Sequence, residues 1–526
     1  MAVAVTANLT LASDADTATS QGTWSGNSGG ADTEVKIQGN GSYTWQVGKN
    51  GRDSCSFTPT TNLDMSAAGT HFYWWAQNAV AAFMEPKTEV ADDPGYTLRL
   101  TDGSGNYVEW YVAGNDTWGG EWRCFVIDVN DTTDIYVSSG TLQLNDIDVI
   151  TWAVDLSNSG NIRIIDNQWN DVCRFGTGLK ATGTDFDLTD IANDDELPAN
   201  RYGILEIKDG VLFCQGQLQI GDGATTTTLT SADEVLVFKD RNANGSGMVA
   251  SGFYKLLFTG SGLTADIDGL VAKGAGTTDT TRFILDADDT DITSDIAGST
   301  FIRASAVTFA AGDSITNSVF NNCGQVVPST ATFANNTLSN YVGAEGGALL
   351  FPTDDTNISD LIFLNNDDGV EYDASSDSTT PTFNNFNFDD VGGNYDVNNT
   401  SGGAETISIV NTPTGGANSY NPGGSTVTFS ADVALVITVV DTGGAAVVAA
   451  QTAIYKVSDD TELMNKDTIA GGIAQTTYNY AGETPVYIRV RKSSTGDTRY
   501  KNAFAGGTIT GDGLNVRITL TEEGVS

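Results

Sequence analysis

The sequence predicts an all-β protein built from several parts, and three observations carry that expectation. Runs rich in Val, Ile, Tyr, Phe, Trp and Thr, bounded by Gly, Asn or Asp, recur along all 526 residues. No long stretch places apolar residues at helical spacing. A loose tandem repeat occupies residues 263–390, with units opening LTADI at Leu263, ITSDI at Ile292, ITNSVF at Ile315, FANNTL at Phe333, ISDLIF at Ile358 and FNNFNF at Phe383. The unit starts fall 29, 23, 18, 25 and 25 residues apart. That is the coil length of a β-solenoid, in which each turn buries its apolar side only by stacking on its neighbours. The chain is also too long for a single core, so three or more structural units are expected.

Residues 1–20 are expected to form an N-terminal arm, and residues 21–180 a separate domain. All nine tryptophans lie between Trp24 and Trp169. Strands are legible at YTWQV from Tyr43, THFYWW from Thr70, YTLRL from Tyr96, YVEWYV from Tyr107, WRCFVID from Trp122 and VITWAV from Val149. TDGSG from Thr101 supplies the hairpin connection between the third and fourth, with Gly where a positive φ is needed. Several of these strands alternate apolar and polar residues, so one face is buried and one is wet. Aromatic-rich antiparallel strands of this kind predict a two-sheet jelly roll.

Residues 200–412 are expected to be a parallel β-helix that starts near Gly203 and runs through EVLVF at Glu234 and KLLF at Lys255 into the tandem repeat. The paired polar residues Thr316 and Asn317, Asn335 and Asn336, and Asn384 and Asn385 belong at coil bends. There Asn tolerates a left-handed backbone, and its amide can bond to the coils above and below. A stack of antiparallel hairpins is the other arrangement this pattern allows. A Gly/Pro linker is placed at residues 413–424, and a small Ig-like β-sandwich at residues 425–526. Much of the sparse basic charge lies in that last part, at Arg489, Arg491, Lys492, Arg499 and Lys501, where it could face an acidic neighbour.

The net charge is −42, from 67 acidic and 25 basic residues. Such a field repels nucleic acid and anionic lipid, and it keeps a β-rich surface solvated. It also suits a salty medium, where screening makes many like charges tolerable. The one histidine, His71, sits in an aromatic run and reads as a strand residue. The five cysteines are scattered with no CxxC pair, and read as reduced core residues. No run reaches the length of a membrane span. The stretch MAVAVTANLTLASD has neither a basic n-region nor a sustained apolar run, so no export signal is expected.

Candidate sites are few. DRNANG from Asp240 matches the first half of a calcium loop, with Asp240, Asn242 and Asn244 as ligands, but Ser251 occupies the position of the closing Glu. The turn alone also explains these residues. Trp118 and Trp122 flank Gly119 and Gly120 and are candidates for stacking on a glycan, although a jelly-roll core consumes such rings too. The densest acidic cluster, residues 285–292, is the candidate for paired-carboxylate chemistry or for a solvated inter-coil loop.

Three resemblances extend this reading. DTWGGEWRCF from Asp116, after YVEWYV and before CRFGTGL from Cys173, resembles the concanavalin-A-like jelly rolls of tailed-phage structural proteins. The repeat is similar to right-handed parallel β-helices of the pectate-lyase and phage-tailspike kind. VITVVDTGGAAVV from Val436, followed by AIY from Ala453, resembles carboxypeptidase-regulatory-like and other Ig-like modules. Together they imply a non-enzymatic structural protein on the exterior of a tailed virus particle, either a fibre, a spike or a capsid decoration. It would be made in the host cytoplasm, partnered by other virion proteins and possessed of no obligatory cofactor. A trimer is favoured, and contact with host-surface polysaccharide fits the same picture. The alternatives are a β-helix polysaccharide depolymerase and a carbohydrate-binding adhesin without catalysis.

Overall fold

The computed structural model describes residues 3–15, 21–47, 52–78, 96–112, 122–132, 135–155, 166–195, 201–239, 252–276, 282–341, 343, 346–353, 356–376, 386–389, 395–401, 406–409, 420–421, 426–429, 432–480, 483–493, 498–510 and 513–523. It is all-β. One short α-helix, Leu188–Asp195, occurs among the described residues. The chain divides into two compact units, residues 1–326 and 327–526.

The first unit opens with two facing antiparallel sheets. One has the order Ile135–Ser139, Tyr107–Val112, Tyr96–Asp102, Ile147–Asp155, Arg52–Pro59, Gly22–Gly26. The other is organised on the 17-residue strand Asp166–Thr182, which pairs antiparallel with Ala4–Ser13, Ser42–Val47 and His71–Asn78. Residues 4–13 are therefore a strand of this sheet rather than an arm. Their alternation of small apolar and polar residues suits a half-covered edge. Between the sheets lie Trp24, Trp45, Phe57, Phe72, Trp74, Trp110, Phe125 and Trp152, all buried. Rings of this size bury the most apolar area per residue, and they form a stacked cluster in which Trp24 lies 5.1 Å from Trp152 and 5.3 Å from Tyr43. The expected hairpin is present, with Tyr96–Asp102 paired to Tyr107–Val112 and Gly105 at φ 81°.

The last residues of Asp166–Thr182 change partners. Gly178 to Ala181 pair in parallel with Gln217–Ile220, the first of a series of stacked coils. A Cβ on Gly178 would lie 2.1 Å from the Gln217 carbonyl oxygen, so the close approach at this junction requires glycine. From there the chain visits three parallel sheets in strict rotation. Gln217–Ile220 leads to Thr227–Ala232 and then Val235–Phe238, and the cycle repeats at Tyr254–Phe258, Leu263–Asp268 and Val271–Gly274, and again at Phe283–Ala287, Thr293–Ala297 and Thr300–Ile302. Each sheet stacks like residues in register. Leu179, Leu218, Leu256, Leu285 and Val307 form one buried ladder, and Leu212, Leu236, Ala272, Phe301 and Phe320 another. The topology is that of a parallel solenoid, not of stacked hairpins.

The second unit repeats this logic. Thr337–Ser339, Ile362–Leu364 and Asn387–Asp389 stack Leu338, Phe363 and Phe388, with the two phenyl rings 4.8 Å apart. Tyr420–Asn421 and Thr426–Phe429 still pair in parallel with earlier coil strands, so coil pairing continues through the stretch expected to be linker. A sandwich follows from Asp432. One sheet has the order Ile473–Asn479, Asp432–Asp441, Leu514–Leu520, and the other Glu462–Asp467, Gln451–Lys456, Thr484–Lys492, Tyr500–Ile509. Leu435, Ile437, Ile454, Ile488 and Ile509 are buried between them.

Candidate functional site

The outer face of the four-stranded sheet in the second unit carries an aromatic and cationic groove. Period-2 alternation builds it. In Thr484–Lys492, Val486, Ile488 and Val490 point into the core, while Tyr487, Arg489 and Arg491 share the opposite face. Strand register sets their neighbours. Tyr487 lies opposite Tyr455, Arg489 opposite Ala453 on one side and Phe504 on the other, and Arg491 opposite Gln451. Ala453 is the small residue between larger ones, and it leaves a depression of about 340 Å³ lined also by Asn465 and Asn502.

The Arg489 guanidinium carbon lies 5.4, 5.2 and 5.9 Å from the ring centres of Tyr455, Tyr487 and Phe504. The two tyrosine rings are themselves stacked at 5.3 Å. Phe504 is 70 % exposed, the most exposed large hydrophobic side chain among the described residues. Polar side chains around the groove are held in a chain of hydrogen bonds. Arg491 Nε donates to Gln451 Oε1 at 2.6 Å, Gln451 Nε2 to Asn465 Oδ1 at 2.9 Å, and Asn465 Nδ2 to Glu462 Oε2 at 3.2 Å. The Tyr455 hydroxyl donates to Glu462 and the Tyr487 hydroxyl to Asp460, and these carboxylates raise the phenol pKa values. Arg489 and Arg491 stood out in the sequence as basic residues, but the rings did not. The signal was available in the spacing of Tyr487, Arg489 and Arg491, which puts all three on one face.

The other candidates fall elsewhere. Trp118 and the calcium-loop residues Asp240, Asn242 and Asn244 lie outside the described residues. Trp122 is half-buried and lines a cleft of about 230 Å³ in the first unit with Trp75, Ile37, Asp195, Arg201, Gly203 and Glu206. Six tryptophans, Trp24, Trp45, Trp74, Trp75, Trp110 and Trp152, are buried. Asp195 is buried beside that cleft and accepts backbone N–H bonds from Tyr202, Gly203, Ile204 and Leu205 at 2.7–3.2 Å. Burial pushes its pKa up to about 7, against the pull of those donors.

Within residues 285–292, Asp289 closes a turn, accepting from Gly260 N at 2.7 Å, Thr259 Oγ1 at 3.0 Å and Asp291 N at 3.0 Å. Asp286 pairs with Lys255. Burial first, and then the adjacent Asp286 carboxylate, raise the Asp288 pKa. His71 is buried in its strand, its Nδ1 2.9 Å from the Gly69 carbonyl oxygen and its ring 4.0 Å from that of Phe253. Burial lowers its pKa and favours the neutral ring. Among the described residues no cluster of His, Cys, Asp and Glu has the geometry of a metal site.

No family model matches the chain, and no curated protein matches it. Among solved structures it is similar to the agarase AgWH50C (TM-score 0.24, 11% identity, 32% of this chain and 24% of that one) and to an exo-beta-agarase (TM-score 0.23, 14% identity, 32% and 25%). The chain thus spans about a quarter of the length of those agarases.

Proposed function

We propose that this chain is a non-enzymatic structural and adhesive component of the exterior of a tailed virus particle, where the stacked coils serve as a stiff scaffold and the sandwich modules dock and display. On this reading the first two-sheet part is a concanavalin-like jelly roll, the coils wind right-handedly as parallel crossovers do, and the last sandwich is Ig-like. The observation that supports it best is the strand Asp166–Thr182. It is at once the spine of an antiparallel sheet and the partner of the first parallel coil. Force applied to the sandwich passes into the solenoid through backbone hydrogen bonds rather than through a linker, which suits a mechanical part. The charge of −42 keeps such a β-rich surface dispersed. The test is cryo-electron microscopy and a mass-spectrometric inventory of purified particles from cells that make the chain. Density traced to it on head or tail is expected, and particles that lack it would overturn the proposal.

A polysaccharide depolymerase is the second reading, favoured by the hydrogen-bonded carboxylates Asp286 and Asp288, one of them with a raised pKa. It predicts loss of viscosity when capsular polysaccharide is incubated with the chain, abolished by Asp288→Asn.

A further inference from the structure

We infer that the groove around Arg489 binds an acidic saccharide, with the guanidinium edge taking a sugar carboxylate and the rings taking a pyranose face. This deepens the adhesive reading above by assigning the ligand class to one site. Three observations carry it. First, Arg489 has no hydrogen-bonded or ion-paired partner among the described residues, in a chain with 67 acidic and 25 basic side chains. Where acid is in such excess, a guanidinium is easily paired internally. Here its guanidinium carbon instead lies 5.2–5.9 Å from three ring centres, contacts that use none of its N–H donors. Cation–π contact fixes the orientation of the group without using its donors, and the planar fork matches a carboxylate bidentately.

Second, Phe504 keeps most of its ring in solvent next to that fork. An isolated exposed ring needs no explanation, but one flanking an open cation offers the apolar surface on which the C–H face of a sugar rests. Third, the remaining lining is amide-rich. Gln451 and Asn465, already joined in the hydrogen-bond chain above, each keep one N–H and one oxygen lone pair, and Asn502 adds a further amide, the combination that recognises hydroxyl groups, which themselves donate and accept. The depression over Ala453, about 340 Å³, sits at the low end of small-ligand sites, which run from roughly 300 to 1,000 Å³. An acidic peptide such as poly-glutamate would satisfy Arg489 too, but it brings no flat C–H face to the exposed Phe504 ring.

The experiment is isothermal titration of the full chain with a polyuronate tetramer, its carboxyl-reduced neutral counterpart, and a poly-glutamate peptide of similar length. The tetramer is expected to bind, with the neutral counterpart and the peptide each at least about tenfold weaker. Arg489→Lys keeps the charge but loses the fork, and is expected to weaken binding about tenfold. Phe504→Ala removes the exposed ring and no polar group. It is expected to weaken binding about tenfold while the thermal unfolding midpoint stays near that of the parent. Equal binding of the neutral and acidic oligomers, poly-glutamate binding as tightly as the tetramer, unchanged binding by Phe504→Ala, or no binding at all would each overturn the inference. The titration uses the isolated chain, so its failure is separate from absence of the chain on particles.

Discussion

Replacing Glu109 by Gln should cost the first sandwich about 3 kcal/mol. Glu109 is 1% exposed on a central strand, yet it is ringed by donors. Its Oε1 accepts from Arg52 and from the Thr97 hydroxyl, and its Oε2 accepts from Arg99 through Nε at 2.9 Å and Nη2 at 2.5 Å. The arginines are tied down in turn, Arg52 over the Tyr136 ring at 5.0 Å and Arg99 over Tyr107 at 4.1 Å. Breaking a buried pair by removing one partner typically costs about 3–5 kcal/mol, because the other charge is left uncompensated. Here the arginine side chains are 29% and 33% exposed, so water relieves part of that penalty and the lower end applies.

All nine tryptophans lie within residues 24–169, so tryptophan fluorescence in a urea titration reports on this sandwich selectively. The midpoint is expected to fall with little change in slope. A triple change of Arg52, Arg99 and Glu109 to Met should recover most of the loss, since well-packed apolar groups often replace a buried ionic cluster without cost. A Glu109→Gln midpoint equivalent to less than about 0.5 kcal/mol of change would refute the reasoning and class the cluster with surface ion pairs.

Other outcomes follow from the same structure. Asp195 has a folded pKa of about 7, above its unfolded value, so the stability it contributes is full at low pH and is lost as pH rises through 7. The urea midpoint should therefore fall between about pH 4 and pH 7 and level off above, and Asp195→Asn should flatten that slope; a slope identical in both chains would contradict this. Asn317 stands at φ 53° in a coil bend, so Asn317→Val should destabilise by about 1–2 kcal/mol while Asn317→Gly is tolerated, as read by thermal unfolding. All five cysteines are buried, and burial pushes the Cys214 thiol up to about 12 and Cys323 to about 11. A disulfide-exchange reagent should therefore find no thiol in the folded chain and five in urea, and rapid labelling of any one would show that its strand opens.

Much of the architecture was legible because it rests on local alternation. Leu263, Ile315, Phe333 and Ile358 were picked out as unit starts, and all lie on strands, Leu263 and Ile315 in one sheet of the first unit and Phe333 paired with Ile358 in the second. The bends were legible through Asn, since Asn317 and Asn335 do adopt the left-handed backbone, while Asn384 and Asn385 lie outside the described residues. The coil-to-coil amide bonds were expected at those bends, and buried Asn366, which was not among them, makes such bonds to the Leu338 carbonyl and the Tyr341 N–H. Register was not legible. Ile315 stacks on Ile296 rather than on Ile292, which makes that coil 19 residues long instead of 23. Ser294 and Ile296 both face inward, and nothing in a period of two says which inward residue of a strand meets its neighbour.

The sequence by itself therefore determined the all-β class, the burial of the cysteines and most tryptophans, and the solenoid repeat, because each depends on residue type and spacing within a few positions. Only the tertiary structure decided that residues 4–13 join a sheet, that one strand serves both sandwich and solenoid, that Glu109 meets Arg52, and that Phe504 and Tyr455 flank Arg489. Those pairings join segments up to about 180 residues apart (Ala4 with Thr182). They are set by which strand edges remain open once the apolar faces are buried, a property of the assembled sheets that no local pattern encodes.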